Sequence, residues 1–503
     1  MRGLRASVGT AWQHGGRIDT VKYRTGLHQA DQPADPLNSA LSVNIAGSHV
    51  RSVSHNVLYA VSIFFFLHSF GILAIIDRSI YGEWGGKPGD KITQTLNVLG
   101  IFASLFLFWS GTRKIGVTRF NRVLPLMAAG FLLISVLWSV DPRLTLNQGT
   151  VYFFVVLGAI GLVEALDGDE LMDLAALICG LSAVASVVQF LIFPEPGDFR
   201  GVFSHKNMLG QVMAGGVLTA LHGIRIRSGR RFRYICIFAL CTIVGLMSKS
   251  ATSVLTIIVF CWLDILGRLY LRGGPTRTLS IFLSIVSVQI AIVFVLNADL
   301  IFDLFGKDQT LTGRTLIWPY VIDNISERPI LGWGFHAFWS TLNPHASQIS
   351  NVLGWMIPEA HNGILEFLLQ IGFVGTLFFM FLWVRNFAMA LKCMNGPARQ
   401  FGLSSVLLLI GILVIGVSEE VLLSGQQFFT SLFFIMGCVC DKDLRLARAA
   451  RRHVRARSGS APLRNALAPG LRCFTNSSTP QQIRKRNREA ILQGKCTPQR
   501  AYR

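Results

Sequence analysis

Three groups of residues in this chain have the types and spacing suited to binding an anion and moving a proton. The first is a loop in which Arg200, His205, Lys206 and Asn207 fall within eight residues, just ahead of an apolar run. Such a loop offers cations together with the free N–H groups and dipole of a helix N-terminus, which favour a phosphate. A loop hydrated by lipid head groups is the alternative reading. The second is Arg314, placed where Leu316, Val321, Ile322 and Ile325 begin to recur at helical spacing, with Thr312 positioned to cap the helix. A cation in a first turn opposes the helix dipole, so either an anion partners it or its side chain bends to solvent. The third is His361 with Asn362 at the mouth of another apolar run, followed by Glu366, an ionisable group inside apolar sequence. An imidazole with a pKa of about 6.5 can take a proton near neutral pH. A lone interfacial histidine is ordinarily structural. Arg200, Lys206 and Arg314 set His361 apart, provided the fold brings them to it.

An apolar frame must do that positioning. Of 503 residues, 51% are hydrophobic and 15% charged, a membrane-protein composition. Twelve apolar runs approach the roughly 20 residues that cross a bilayer: 57–76, 92–110, 123–140, 150–166, 171–193, 208–224, 234–247, 251–266, 279–296, 363–384, 402–417 and 427–440. The two flanking Lys249 are both short, and Ser248-Lys249-Ser250 is their whole connection. Basic residues collect in alternate connections: Arg113 and Lys114, Arg225 to Arg233, Arg268 to Arg277, and Arg385 to Arg399. The positive-inside rule assigns those connections and both termini to the cytoplasm, with the acidic turn 164–170 as the exception. Segment 297–359 is then periplasmic. Its Trp318, Trp333, Phe335, Phe338, Trp339 and Trp355 argue for a folded working surface rather than a disordered connector.

The expected fold is an all-α polytopic membrane protein of about 12 transmembrane helices. Its expected parts are a disordered cytoplasmic segment 1–56, a transmembrane domain 57–440 with a helix-containing catalytic loop 297–360, and a basic cytoplasmic tail 441–503. Segment 1–56 shows no apolar stretch of a cleavable signal peptide. Gly372 and Gly375 are expected to share a helical face that lets a neighbouring helix approach closely. The net charge of +20 lies mainly in the cytoplasmic connections and the tail, so topology accounts for it without nucleic acid. Residues 441–457 mix Leu444, Leu446, Ala449 and Val454 with arginines. They read either as an amphipathic helix on anionic lipid or as a solvated basic tail.

Nine cysteines all fall in spans or on the inner side, with neither disulfide opportunity nor zinc spacing. Asp167-Gly168-Asp169 has the form of a nucleotide-sugar metal site. It sits on an inner turn with no room for a nucleotide-binding domain, and reads better as a helix connector. There is no glycine-rich phosphate loop, nucleophile elbow or two-histidine metal helix. Neither metal nor cofactor is expected.

Three segments resemble the O-antigen ligase and polymerase superfamily (Wzy/WaaL-like), and more closely its ExoQ-like exopolysaccharide-polymerase branch. They are Arg200-Gly201-Val202-Phe203-Ser204-His205-Lys206-Asn207-Met208-Leu209-Gly210; then Gly313-Arg314-Thr315 with Trp318 and Arg328-Pro329-Ile330-Leu331-Gly332-Trp333-Gly334-Phe335; then His361-Asn362 with Gly372 and Gly375. The resemblance implies a GT-C-like, metal-independent glycosyltransferase of the bacterial inner membrane, with a periplasmic active site. Its donor would be an undecaprenyl-pyrophosphate-linked glycan entering from the bilayer. Arg200 and Arg314 match arginines that hold the donor pyrophosphate, and His361 matches the essential histidine. On this reading His361, Arg314 and Arg200 are catalytic, while His205, Lys206, Asn207, Trp318, Asn362 and Glu366 bind or position substrate, Glu366 by orienting His361. A single displacement would invert the anomeric centre.

The expected reaction is polymerisation of lipid-linked repeat units into exopolysaccharide or O-antigen. Ligation of finished glycan to lipid A core is the alternative, and a chain-length regulator or other assembly protein remains open as a partner. A permease or flippase would place its charges near mid-membrane. Here they gather in the outer segments, while His68 and Asp264 are scattered.

Overall fold

The computed structural model describes residues 55–73, 91–112, 120–193, 198–296 and 314–459, without the side chains of residues 120, 121, 291, 294–296, 314, 315 and 453–459. The expected N-terminal segment up to residue 54, Thr312 and the tail beyond residue 459 lie outside them. Among the described residues the fold is helical with no strand. A helix stands over each of the twelve apolar runs: α1 (His55–Ser69), α2 (Lys91–Thr112), α3 (Phe120–Ile134), α4 (Pro142–Ala165), α5 (Gly168–Ile192), α6 (Lys206–Ile226), α7 (Arg231–Met247), α8 (Ala251–Arg272) and α9 (Gly274–Leu296), then, after two helices of the polar segment, α12 (Gly363–Met394), α13 (Arg399–Gly416) and α14 (Phe428–Gly459). Six of them, α2, α4, α5, α8, α12 and α13, are long and apolar enough to cross a membrane. Lys249 turns the chain between α7 and α8 with a positive φ of 52°.

Helix α4 is the central staff. Asp141 caps it, its carboxylate accepting from Leu144 N at 3.0 Å, and Pro142 occupies the first turn where its missing N–H costs nothing. Gly111 and Gly161 let α2 and α4 meet backbone to backbone, since a Cβ on either would overlap the opposite chain. The main core runs from Phe65, Phe66 and Phe70 through Tyr152 to Phe428, Phe429 and Phe433.

The acidic turn that breaks the basic alternation is neutralised from within. Glu164 pairs with buried Arg122, and Lys442 donates to the Val163 and Leu166 carbonyls. Asp167 N donates to Glu170 in a capping box, and Asp169 meets the His222 ring at 3.2 Å. Asp167-Gly168-Asp169 is thus the start of a helix. At the same end, Asp264 is not a stray charge, because it pairs with both Arg225 and Arg268.

The polar segment is folded from residue 314 onward. Helices α10 (Arg314–Glu327) and α11 (Pro344–Leu353) enclose a second core of Ile317, Val321, Trp333, Phe338, Ile349 and Leu369. Residues 328–336 form a strap across α12. The expectation for Gly372 is corrected here. It breaks α12, with φ 61° and ψ −170°, and the backbone crossing it belongs to Ile330 and Leu331 of the strap, not to a neighbouring helix. The break frees backbone groups that the strap satisfies: Trp333 N donates to Leu369 O and Gly334 N to Gln370 O, while Phe373 N donates to Pro329 O and Val374 N to Ile330 O. Non-helical backbone at membrane depth is tolerable only when it is satisfied in this way.

Candidate functional site

At the N-terminal end of α6, the strap side of the bundle forms a cavity of about 610 Å³. Arg200, His205, Lys206 and Asn207 line it from the loop and first turn of α6, and His361 lines it from the approach to α12. The fold therefore joins two of the three sequence groups. Arg314 opens α10, and its side chain is outside those described. Trp318 stands one helical turn further along the same face, and its Nε1 donates to Ala360 O at 3.2 Å, which ties α10 to the residue beside His361.

The elements fix each member of the site. His205 caps α6, its Nδ1 accepting from Met208 N at 3.3 Å, and burial lowers its pKa, with Glu359 opposing that shift. Lys206 meets Asp198 at 2.8 Å, a contact that holds the Asp198 carboxyl below its usual range. Asn362 caps α12, accepting from Ile364 N and Leu365 N at 3.1 Å each. His361, one residue earlier, sits in the left-handed region at φ 50°. That backbone is costly for a non-glycine residue, about 1–3 kcal/mol, and such strain concentrates at functional positions.

Glu366 lies behind the cavity and does not touch His361. It is fully buried, and its oxygens accept from Ala360 N at 2.7 Å, Gln370 Nε2 at 2.6 Å and Trp339 Nε1 at 3.1 Å. Gln370 in turn accepts from His336 N at 2.8 Å. Glu366 thus orients the backbone leading into His361 rather than the imidazole itself.

The group facing the imidazole is Glu359, absent from the sequence reading, with Oε1 2.9 Å from His361 Nδ1. Burial alone would raise the Glu359 carboxyl, but His361, together with Glu419 and His205, more than offsets this and leaves it below its usual range. Glu419 is also new. It lines the cavity, accepts from Asn207 Nδ2 at 2.8 Å, and brings Oε2 to 4.0 Å from His361 Nδ1. The available sequence signal was the Glu419-Glu420 pair between two apolar runs in a chain with only 27 acidic residues. Donor atoms of Glu359, His361 and Glu419 lie within 4.8 Å of one another, a spacing that could hold a metal ion.

Glu420 is buried behind this wall. Burial, with the charges of Glu366, Glu359 and Glu419, raises its pKa well above the ordinary 4.5. A carboxyl whose folded value lies above its unfolded value makes the protein lose stability as pH rises past the unfolded value. The thermal midpoint of Glu420→Gln relative to the parent should therefore climb from pH 4 to pH 8. A difference that stays flat over that interval would refute the assignment.

Two comparisons with known proteins bear on this site. Residues 234–380, which include His361, Asn362, Gly372 and Gly375, match the family model described as O-antigen ligase. The chain is also 28% identical over 371 residues to the exopolysaccharide production protein ExoQ of Rhizobium meliloti (strain 1021), covering 68% of this chain and 77% of that protein. The resemblance carried by the motifs is thereby shown, and both findings support a multi-pass membrane enzyme of the O-antigen ligase and polymerase type.

Proposed function

We propose that this chain, similar to O-antigen ligase and polymerase enzymes, is an inverting glycosyltransferase that polymerises undecaprenyl-pyrophosphate-linked repeat units on the periplasmic side of the inner membrane. Domain 57–440 carries the activity, between a cytoplasmic segment 1–56 and a cytoplasmic tail 441–503. The observation that carries this reading is the shared cavity, in which Arg200 and Lys206 face His361 and its carboxylate neighbours. The acceptor hydroxyl attacks the anomeric carbon of the donor glycan and passes its proton to His361 Nε2. The anomeric carbon–oxygen bond breaks, and undecaprenyl pyrophosphate leaves with the electron pair. Arg200, Lys206 and Arg314 stabilise the growing phosphate charge, Arg200 and Arg314 by bidentate hydrogen bonds. Glu359 keeps a proton on Nδ1, so that Nε2 is the basic nitrogen. Glu419 and Asn207 form the wall beside the acceptor.

Ligation to a lipid A core is the second reading, favoured by the description of the matching family. Purified protein given lipid-linked repeats should produce a ladder of lengths, unchanged by EDTA. Product formed only when lipid A core is supplied would establish the ligase. Loss of the ladder on chelation, restored by a divalent ion, would make Glu359, His361 and Glu419 a metal centre instead.

A further inference from the structure

The far end of the bundle from His361 carries a second cavity, of about 550 Å³, between the last turns of α12 and the charged half of α14. Leu444, Ala447, Arg448 and Arg451 recur along α14 at the spacing of one helical face. Leu391 and Lys392 line the opposite wall from α12, and the turn at Gly396-Pro397 closes the end. The floor is apolar and the rim is cationic, and no acidic side chain lines the cavity.

Two other cations of this stretch of α14 are engaged elsewhere. Arg445 pairs with Asp441 at 2.8 Å, and Lys442 is held by the carbonyls before α5. Among the described residues, Lys392, Arg448 and Arg451 form no ion pair. On both helices the cavity lies where apolar side chains give way to charged ones, the level of lipid head groups. We propose that this cavity binds one anionic phospholipid of the surrounding leaflet, its phosphodiester held by Lys392, Arg448 and Arg451 and its glycerol and upper acyl carbons lying on Leu391, Leu444 and Ala447. Charge complementarity selects this occupant over a zwitterionic lipid, and the apolar floor selects it over a soluble anion. The site thereby fixes the emerging basic helix against the bundle.

The test uses the full chain, purified in detergent and titrated with phosphatidylglycerol or phosphatidylcholine, with bound lipid counted by native mass spectrometry. The parent should favour phosphatidylglycerol at least about fivefold. The triple variant Lys392→Gln, Arg448→Gln, Arg451→Gln should lose that preference, whereas Arg452→Gln, an exposed cation outside the cavity, should keep it. Arg451 is itself exposed, so Arg451→Gln alone leaves the fold intact and should weaken the preference severalfold. Equal binding of the two lipids overturns the proposal. So does an unchanged preference in the triple variant, a loss as large in Arg452→Gln, or displacement of the lipid by inorganic phosphate at equal concentration.

Discussion

Alanine in place of His361 is expected to lower glycan transfer by about two to four orders of magnitude, the range of positioned general bases, while the protein still inserts and folds. The imidazole is partly exposed on a cavity wall and fills no core position, so its removal leaves neither helix capped worse nor core emptier. The cap on α12 belongs to Asn362, and the backbone before it is held by Glu366 and Trp318. Glu359→Gln should cost less, because the imidazole remains and only its orientation and tautomer are freed. Initial rates on lipid-linked repeats, with gel-filtration profiles of both variants, provide the measurement. Near-parental turnover by His361→Ala would remove the base from the mechanism, whatever the fate of Glu359.

How far the sequence reached can be followed residue by residue. Each apolar run holds a helix, yet several helices overrun their runs: the stretch ending near residue 266 continues to Arg272, and the one ending near 384 continues to Met394. Apolarity marks the part of a helix that avoids water, whereas backbone hydrogen bonding continues into charged turns, so composition sets the existence of a helix better than its end. The loop at Arg200 and the pair at His361 could be singled out because cations and an imidazole are out of place beside apolar runs. Glu359 gave no such signal, and Glu419 gave only the weak one of an acidic pair, Glu419-Glu420, between two apolar runs. An acid in an outer loop is ordinary, and only tertiary contact makes these two face one imidazole. Glu366 was visible as a charge within apolar sequence, but its target, the Ala360 N–H, depends on a loop path that no periodicity encodes.

Gly372 was legible as a small residue and illegible as a break, because glycine takes either sign of φ and its presence alone does not say which. Gly372→Ala should therefore be strongly destabilising where the strap crosses α12. An L-residue at this φ of 61° and ψ of −170°, a region nearly restricted to glycine, costs about 1–3 kcal/mol. Here the added Cβ would also overlap Ile330 O and come within 2.6 Å of Leu331 N, so the strap must lift. Lifting it strands the Leu369 and Gln370 carbonyls and the Phe373 and Val374 N–H groups inside the bundle, each costing about 1–3 kcal/mol. Gly354→Ala separates the two contributions. Gly354 has φ 78° and ψ 12° but open space where a Cβ would stand, so it should show only the cost of a left-handed residue, about 1–2 kcal/mol. The thermal midpoint in detergent should fall several times further for Gly372→Ala than for Gly354→Ala, with new protease cleavage within residues 328–337. Because the same strap delivers His336 to Gln370, and Gln370 bonds Glu366 behind His361, transfer activity should fall with it. Equal midpoints for the two variants would mean that the strap yields at Gly372, and that backbone docking there does not hold the site.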